Sequence, residues 1–502
     1  MIELGLQRIS RLLAQTPLPW RAIHVAGTNG KGSICNYISG MLEVYNKSSY
    51  REQKSLPLIK HGRFTSPHLI DRWDCITINQ ETVSSELFHA VEKRVLARDA
   101  EEGIQASEFE LLTATAFEIF TQEEVDVGVV EVGTGGRLDA TNVLGTPVEK
   151  VVLEGRDPPV RARPLATAIA QIGLDHEAFL GNTIAAITAE KAGIAKPGVP
   201  MVYADENNPD TRTLWGVAGN VRADLVSGLA GPDLDRAFPL DLCAPPRRMT
   251  PSLSPSDIAL ASTPWTSTFT QAPHHTSNIS IAGRSTWLAL SQLNLLPPTI
   301  PLSTQDQHLL LTLTTAFSLV PSQTTFPGRL QPLSLIPLTG RQSPILLDGA
   351  HNTDSATVLD NHIRHLYPAY PSHTDPPMRT KVTFLLAASS TKDISSILAQ
   401  ILEPGDDVFA VEFGAVDGMP WVKAMSCEKV LEEAGKVLDR TEREVGFGSG
   451  VRRACGSDVR AALRAASEQA GEGPLVVAGS LYLVGEVLRV MRGVEREGLQ
   501  AK

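Results

Sequence analysis

The segment from Ala22 to Tyr45 constrains the fold more than any other. A short apolar run, AIHVAG, passes into Gly27-Thr28-Asn29-Gly30-Lys31-Gly32-Ser33, after which ICNYISGMLEVY continues with helical spacing. The pattern is strand, glycine loop, helix. Such a loop lets several backbone N–H groups converge on phosphate oxygens, and the helix start adds its partial positive charge. Lys31 would then meet the β- and γ-phosphates of ATP, and Ser33 would offer a hydroxyl to the Mg²⁺ that travels with the nucleotide. The run departs from the pattern G-x-x-x-x-G-K-[ST], because Gly27 stands only three residues before Gly30 and Gly32 separates Lys31 from Ser33.

Strand and helix patterns alternate along most of the chain. Ile2, Leu6, Ile9, Leu12 and Leu13 are spaced as a helix that Pro17 and Pro19 end. The polar stretch NKSSYREQKS (46–55) reads as a surface insertion before GRFTSPHL. ELLTATAFEIF (110–120) reads as a helix, and VDVGVVEVG as a strand ending on Glu131. From about 244 to 280 Pro, Ser and Thr dominate, a composition poorly suited to a core, so a flexible insertion is expected there. Helical spacing resumes from Ser285-Thr286-Trp287. PGRLQ (327–331) then leads into a second series, ILLDGAHN, VTFLLAASSTKD, DVFAVEF and PLVVAGSLYLVGEVLRVM. The 502 residues exceed one ordinary core, and a 42% apolar content can fill two. The expectation is an α/β protein with a larger N-terminal P-loop NTPase-like doubly wound domain (1–331) and a smaller C-terminal Rossmann-like domain (332–502).

A net charge of -11 argues against a surface dedicated to nucleic acid or anionic lipid, so anionic substrates must be met by local cations. The five cysteines are scattered and lack metal-ligand spacing, as expected of reduced thiols. No run approaches the roughly 20 apolar residues of a membrane span, and the first residues resemble neither a signal peptide nor a transit peptide. A soluble cytoplasmic protein is expected, with mitochondria as the alternative.

A doubly wound sheet gathers its site at strand ends. Glu131 ends a strand and could hold a metal, or equally face water. Taken singly, Ser66 before a proline reads as turn chemistry, His176 as a structural histidine and Lys191 as a solvated helix lysine. Together, HVAGTNGKGS, GRFTSPHL, EVGTGGRLDATN, IGLDHEAFLGNT, AEKAGIAKPGVP, PGRLQ, LLDGAHN and AGSLYLVGEV resemble, in order, the folylpolyglutamate synthase and dihydrofolate synthase family within the Mur ligase superfamily. The eight motifs span positions 24 to 487. MIELGLQRI, SEFELLTATAF and Asn29 are similar to the fungal dihydrofolate synthase branch, whereas eukaryotic folylpolyglutamate synthases read GTKGKGS.

The resemblance implies an ATP-dependent ligase that joins L-glutamate to 7,8-dihydropteroate through an acyl phosphate. The alternatives are a folylpolyglutamate synthase extending tetrahydrofolate, a bifunctional enzyme, and a regulatory protein that binds ATP without ligating. It implies that Gly27–Ser33, Arg329 and Asp348 hold ATP, and that Lys31, Glu131, His176, Lys191 and His351 serve catalysis. It further implies two Mg²⁺ ions at Ser33, Ser66, Glu131 and His176, with Lys191 joining as a carbamate. Phe109 and Glu110 are implied for the pterin, Ser480 and Tyr482 for the incoming glutamate, and a monomer for the assembly. Relatives carry an adenine-side asparagine on the helix that here would begin at Ser285, where none is found.

Overall fold

The computed structural model describes residues 5–146, 161–204, 210–227, 273–297, 303–324, 326–368, 379–445 and 449–500. The chain forms two compact units, Met1–His68 with Trp73–Thr324, and Leu69–Arg72 with Thr325–Lys502.

The first unit is built on β1 (Arg21–Ala26), β2 (His61–Phe64), β3 (Ile76–Ile78), β4 (Glu81–Thr82), β5 (Val127–Glu131), β6 (Pro164–Ile169), β7 (Pro200–Tyr203) and β8 (Asp224–Ser227). Their order across the sheet is β4-β3-β2-β5-β1-β6-β7-β8, parallel except at the β2–β3 and β3–β4 pairings. Alternation along the strands sends side chains to both faces. Ile23, Val25, Val127 and Val129 face the helices Lys31–Asn46, Pro273–Gln292 and Thr304–Gln323. Ala22, Val130 and Phe64 face the helix Glu108–Gln122, where Trp20 stands edge-on to Phe117 and Phe120 at 5.2 and 5.4 Å. Coverage of both faces explains the near-continuous apolar character of β1 and β5.

The second unit contains β9 (Gln331–Leu333), β10 (Ile345–Leu347), β11 (Thr383–Leu386), β12 (Asp407–Ala410), β13 (Arg452–Ala454) and β14 (Leu475–Ala478). The order is β13-β12-β11-β14-β10-β9, with only β9 antiparallel. Leu69–Arg72 belongs to this unit. Arg489 donates to Ile70 O at 2.7 Å, Arg492 pairs with Asp71 at 2.5 Å, and Leu69 packs on the core beside the helix Leu481–Gln500.

One expectation is refined and one corrected. The stretch 46–55 carries the helix Ser49–Gln53, capped by Ser48, with Tyr50 buried and its hydroxyl donating to Leu295 O. Lys47, Ser49 and residues 52–55 are exposed, so the segment stays at the surface, anchored by one buried aromatic. The helix expected from Ser285 begins instead at Pro273, so the last part of the expected insertion 244–280 is helical. The rest of that insertion, and the stretch 147–160, lie outside the described residues.

Candidate active site

Strands β2, β5, β1 and β6 are neighbours, and each delivers a predicted site segment at its carboxyl end. Beyond β1, the loop Gly27–Ser33 opens the helix Lys31–Asn46, whose N-cap Gly30 has φ 89° and makes no side-chain cap. That left-handed conformation favours glycine, and the uncapped helix start leaves N–H groups directed at a ligand position. Thr28 N and Asn29 N donate to Gln171 O at 2.7 and 3.2 Å, and Thr28 Oγ1 donates to Gly173 O at 3.1 Å. The loop is thereby fastened to the segment that follows β6. Lys31 Nζ donates to Thr28 O at 3.2 Å and stands 4.0 Å from Glu131 Oε1. Ser66 N donates to Glu131 Oε2 at 3.0 Å. Lys31, Glu131 and Ser66, which lie up to 100 positions apart in the chain, therefore form one cluster.

Lys191 is 2% exposed on the helix Ile184–Ala192, and its Nζ donates to Gly27 O at 2.8 Å. Burial pulls its pKa down to about 7, assisted by Lys31 and opposed by Asp175 and Asp139. A solvated helix lysine is thus the wrong description. His176 adopts a left-handed backbone (φ 54°), and its exposed side chain lies 3.9 Å from the Asp175 carboxylate. Among the described residues no group of three or more His, Cys, Asp and Glu side chains is gathered as a metal cage. Among the described residues, the oxygen donors at or beside the loop include the Glu131 carboxylate and the hydroxyl-bearing Ser33 and Ser66. That set fits Mg²⁺, which binds through one or two carboxylates and completes its shell with phosphate and water.

Phe109 and Glu110 begin the helix Glu108–Gln122. The Phe109 ring lies on Gly133, where a Cβ would stand 2.5 Å from its Cζ, and stacks with Phe64 at 6.2 Å. Glu110 is buried, and its Oε2 accepts from Ser107 N at 2.7 Å and from Arg8 Nε at 2.9 Å. Its carboxylate closes a capping box.

In the second unit, Asp348 follows β10 and accepts from Leu330 N at 2.7 Å and Ala350 N at 2.8 Å. Burial raises its pKa, opposed by Arg329. Arg329 Nη1 would lie 3.1 Å from a Cβ on Gly349, and His351 Nδ1 bonds to Gly349 O at 2.8 Å. That contact makes Nδ1 the protonated nitrogen, because a carbonyl can only accept. Arg329, Asp348 and His351 are thus gathered around one turn. Ser480 Oγ accepts from Tyr482 N, while the Tyr482 ring packs 5.3 Å from Phe413 and its hydroxyl meets Met419 Sδ at 3.5 Å.

Three residues at the first unit's loops went unnoticed in the sequence. Asn278, on the helix Pro273–Gln292, places Oδ1 and Nδ2 2.7 and 2.9 Å from the Cβ position of Gly30. An asparagine thus does reach the loop, seven residues before Ser285. The signal was the apolar series Ile279, Ile281 and Ala282, hidden by surrounding Ser and Thr. Asp139 is buried, accepting from Thr134 N at 2.9 Å and from Thr141 N and Oγ1 at 3.0 and 2.6 Å. Asp175 precedes His176 in IGLDHEAF and is felt electrostatically by Lys191.

Residues 331–490 match the family model described as dihydrofolate synthetase, C-terminal domain. A probable dihydrofolate synthetase of Schizosaccharomyces pombe is 32% identical over 499 residues, covering 98% of this chain and 99% of that protein. The dihydrofolate synthetase of Saccharomyces cerevisiae is 31% identical, covering 97% and 98% respectively. The solved structure of E. coli FolC in complex with DHPP and ADP shares the fold, with a TM-score of 0.65 at 22% identity over 98% of this chain and 94% of that one. With likeness to two fungal proteins running from end to end, and the phosphate loop assembled beside Glu131 and Lys191, this chain belongs to the dihydrofolate synthetase family.

Proposed function

We propose that this protein is an ATP-dependent ligase that joins L-glutamate to 7,8-dihydropteroate, yielding dihydrofolate, ADP and phosphate. The observation that carries the reading is the cluster at adjacent strand ends, where Lys31, Ser66 and Glu131 meet at an uncapped helix start. That cluster is suited to a nucleotide triphosphate, and the buried Lys191 beside it has no place in a simple phosphate loop.

An amine does not displace oxide from a carboxylate, so the carboxylate must first be activated. A carboxylate oxygen of the acceptor attacks the γ-phosphorus, the bond to the bridging oxygen breaks, and ADP leaves. The glutamate amine then attacks the acyl carbon, phosphate departs with the C–O electron pair, and the ammonium proton is released. Lys31 and the loop N–H groups hold the phosphates in line for the first step. Ser33, Ser66 and Glu131 would hold one Mg²⁺, and Glu131, His176 and a carbamylated Lys191 a second, supplying charge that lets two anions meet. Lys191 is prepared for that modification, since only a neutral amine attacks CO₂ and a pKa of about 7 leaves a large neutral fraction. Carbamylation keeps one N–H on Nζ for Gly27 O while adding a carboxylate. From the second unit, Arg329, Asp348 and His351 are assigned to the nucleotide and the reacting groups, and Ser480 and Tyr482 to glutamate. Asn29 favours dihydropteroate as acceptor.

Purified protein given ATP, labelled glutamate and either dihydropteroate or tetrahydrofolate provides the test. Incorporation into dihydropteroate is expected. Label appearing only in tetrahydrofolate would replace this reading with folylpolyglutamate synthesis, and ADP release that needs no acceptor would replace it with simple ATP hydrolysis.

A further inference from the structure

Exposed apolar side chains beside a polar site offer surface whose covering by a ligand would be favourable by about 25 cal/mol per Å². Leu174 and Phe179 are such residues, 52% and 46% exposed. They flank His176, and among the described residues neither belongs to a core of the first unit. Their position is determined from both sides. Gly173, next to Leu174, exchanges hydrogen bonds with Thr28 Oγ1 of the phosphate loop in both directions at 3.1 Å. Phe179 lies in the short helix Glu177–Leu180, and its N–H donates to His176 O at 2.9 Å. Leu180, the next residue, is buried against Gly135, where a Cβ would stand 3.1 Å from Leu180 Cδ2.

That contact places Leu180, the chain neighbour of Phe179, against the loop after Glu131. The loop reads Val132-Gly133-Thr134-Gly135-Gly136, and Phe109 packs on Gly133 as Leu180 packs on Gly135. Gly133 and Gly135 are two residues apart, so at most about 7 Å of backbone separates them. Between Phe109 at one end and the Leu180–Phe179 corner at the other runs a ribbon whose only side chain beyond hydrogen is that of Thr134. Gly136 is equally close-packed behind, 2.6 Å from Glu190 O and Lys191 O at its Cβ position. The ribbon's back therefore rests on the helix that carries Lys191. A floor of backbone with Phe109 at one end and, at the other, the short helix that carries the exposed Phe179 would suit an elongated aromatic acid lying along it, its carboxylate near Lys191 and Glu131.

We propose that Leu174 and Phe179 are specificity-determining residues that receive the p-aminobenzoyl ring of the acceptor on the floor Gly133–Gly136, opposite Phe109. The inference rests on the ligase reading above but not on the choice of acceptor, because dihydropteroate and tetrahydrofolate both carry that ring. Phe179 and Leu174 lie outside the packed core, so their replacement leaves the fold intact.

The test compares wild type with Phe179→Ala, Phe179→Tyr and Leu174→Ser, varying each substrate in turn and recording thermal midpoints. The acceptor used is whichever one the wild type turns over. Phe179→Ala and Leu174→Ser are expected to raise the acceptor KM at least ~10-fold while KM for ATP and for glutamate stays within about twofold. Phe179→Tyr is expected to keep most of the affinity, since the ring remains. Equilibrium titration with dihydropteroate should show the same order of affinities without turnover, so failure of the ligase reading would be seen separately in the wild type. An unchanged acceptor KM and affinity in Phe179→Ala overturns the proposal. So does an equal rise in KM for ATP or glutamate, or a drop in thermal midpoint, which would mean that the pair seals protein against protein.

Discussion

A lysine that leaves water must find an anion or lose its proton. Lys191 finds a backbone carbonyl, Gly27 O at 2.8 Å, and a neighbouring cation, Lys31, while Asp175 and Asp139 compensate only in part. Its side chain is therefore poised between ammonium and amine near neutral pH. If Lys191 works as a carbamate, Lys191→Ala should lower kcat by about 100-fold, the upper range for losing a metal-site group. A short carboxylate such as formate should restore part of it. Full activity of the unsupplemented variant would exclude the role. The chain shows Lys191 only as one lysine in AEKAGI; its burial depends on Gly136, whose missing Cβ lets the loop after Glu131 close onto the helix. Glu110, implied for the pterin, bonds Ser107 and Arg8 through Oε2, while among the described residues its buried Oε1 accepts no hydrogen bond.

At the level of elements, strands β1 and β2 each hold a histidine that is fully buried. His24 Nε2 bonds to Thr141 Oγ1 at 2.8 Å, and burial, with Lys196 adding to it, lowers its pKa to about 3. His61 faces Ser39 and Glu43 from the helix Lys31–Asn46, and burial lowers its pKa to about 4 despite Glu43, with Arg63 lowering it further. Both folded values lie below that of a free histidine, about 6.5, so on acidification the unfolded chain takes up protons first. The stabilisation is complete above pH 6.5 and is lost as pH falls from there through about 4 for His61 and about 3 for His24. Urea midpoints of the wild type should drop over that interval, and those of His24→Gln/His61→Gln, lower at pH 7, should drop less. Parallel slopes for the two proteins would show that other groups carry the acid sensitivity. Periodicity revealed the central strands and the helix after the phosphate loop, because burial on both faces writes an unbroken apolar run. It failed for the first part of the helix Pro273–Gln292, up to residue 284, where the buried Ser277 and Ser280 imitate a loop composition. Ser285 and Thr286 satisfy their hydroxyls on Ile281 O and Ala282 O within the helix, which makes such burial tolerable.

At the level of the whole molecule, the second unit is discontinuous in sequence. It includes Leu69–Arg72, three residues beyond Ser66, and a Cβ on Gly485 would collide with Leu69 O. Among the described residues no helix is long and apolar enough to cross a membrane. A fragment spanning 325–502 lacks the Leu69–Arg72 strap and should be less stable than the intact unit. A peptide covering residues 66–74 should raise its thermal midpoint by several degrees, an effect that Arg492→Ala should weaken. The absence of any shift would mean that the strap adds no stability to the unit.

The order of motifs was enough to identify an ATP-dependent ligase of the folate type, since strand, glycine loop and helix are local features set by neighbouring residues. Which side chains meet was beyond the reach of local pattern. Lys31 and Glu131 lie 100 positions apart and are joined because β1 and β5 are sheet neighbours. Leu174 and Phe179 became noticeable only through their exposure, a property of how the surrounding chain packs rather than of residue type. The register of parallel strands decides such pairings, and that register is established when both faces of the sheet are buried together.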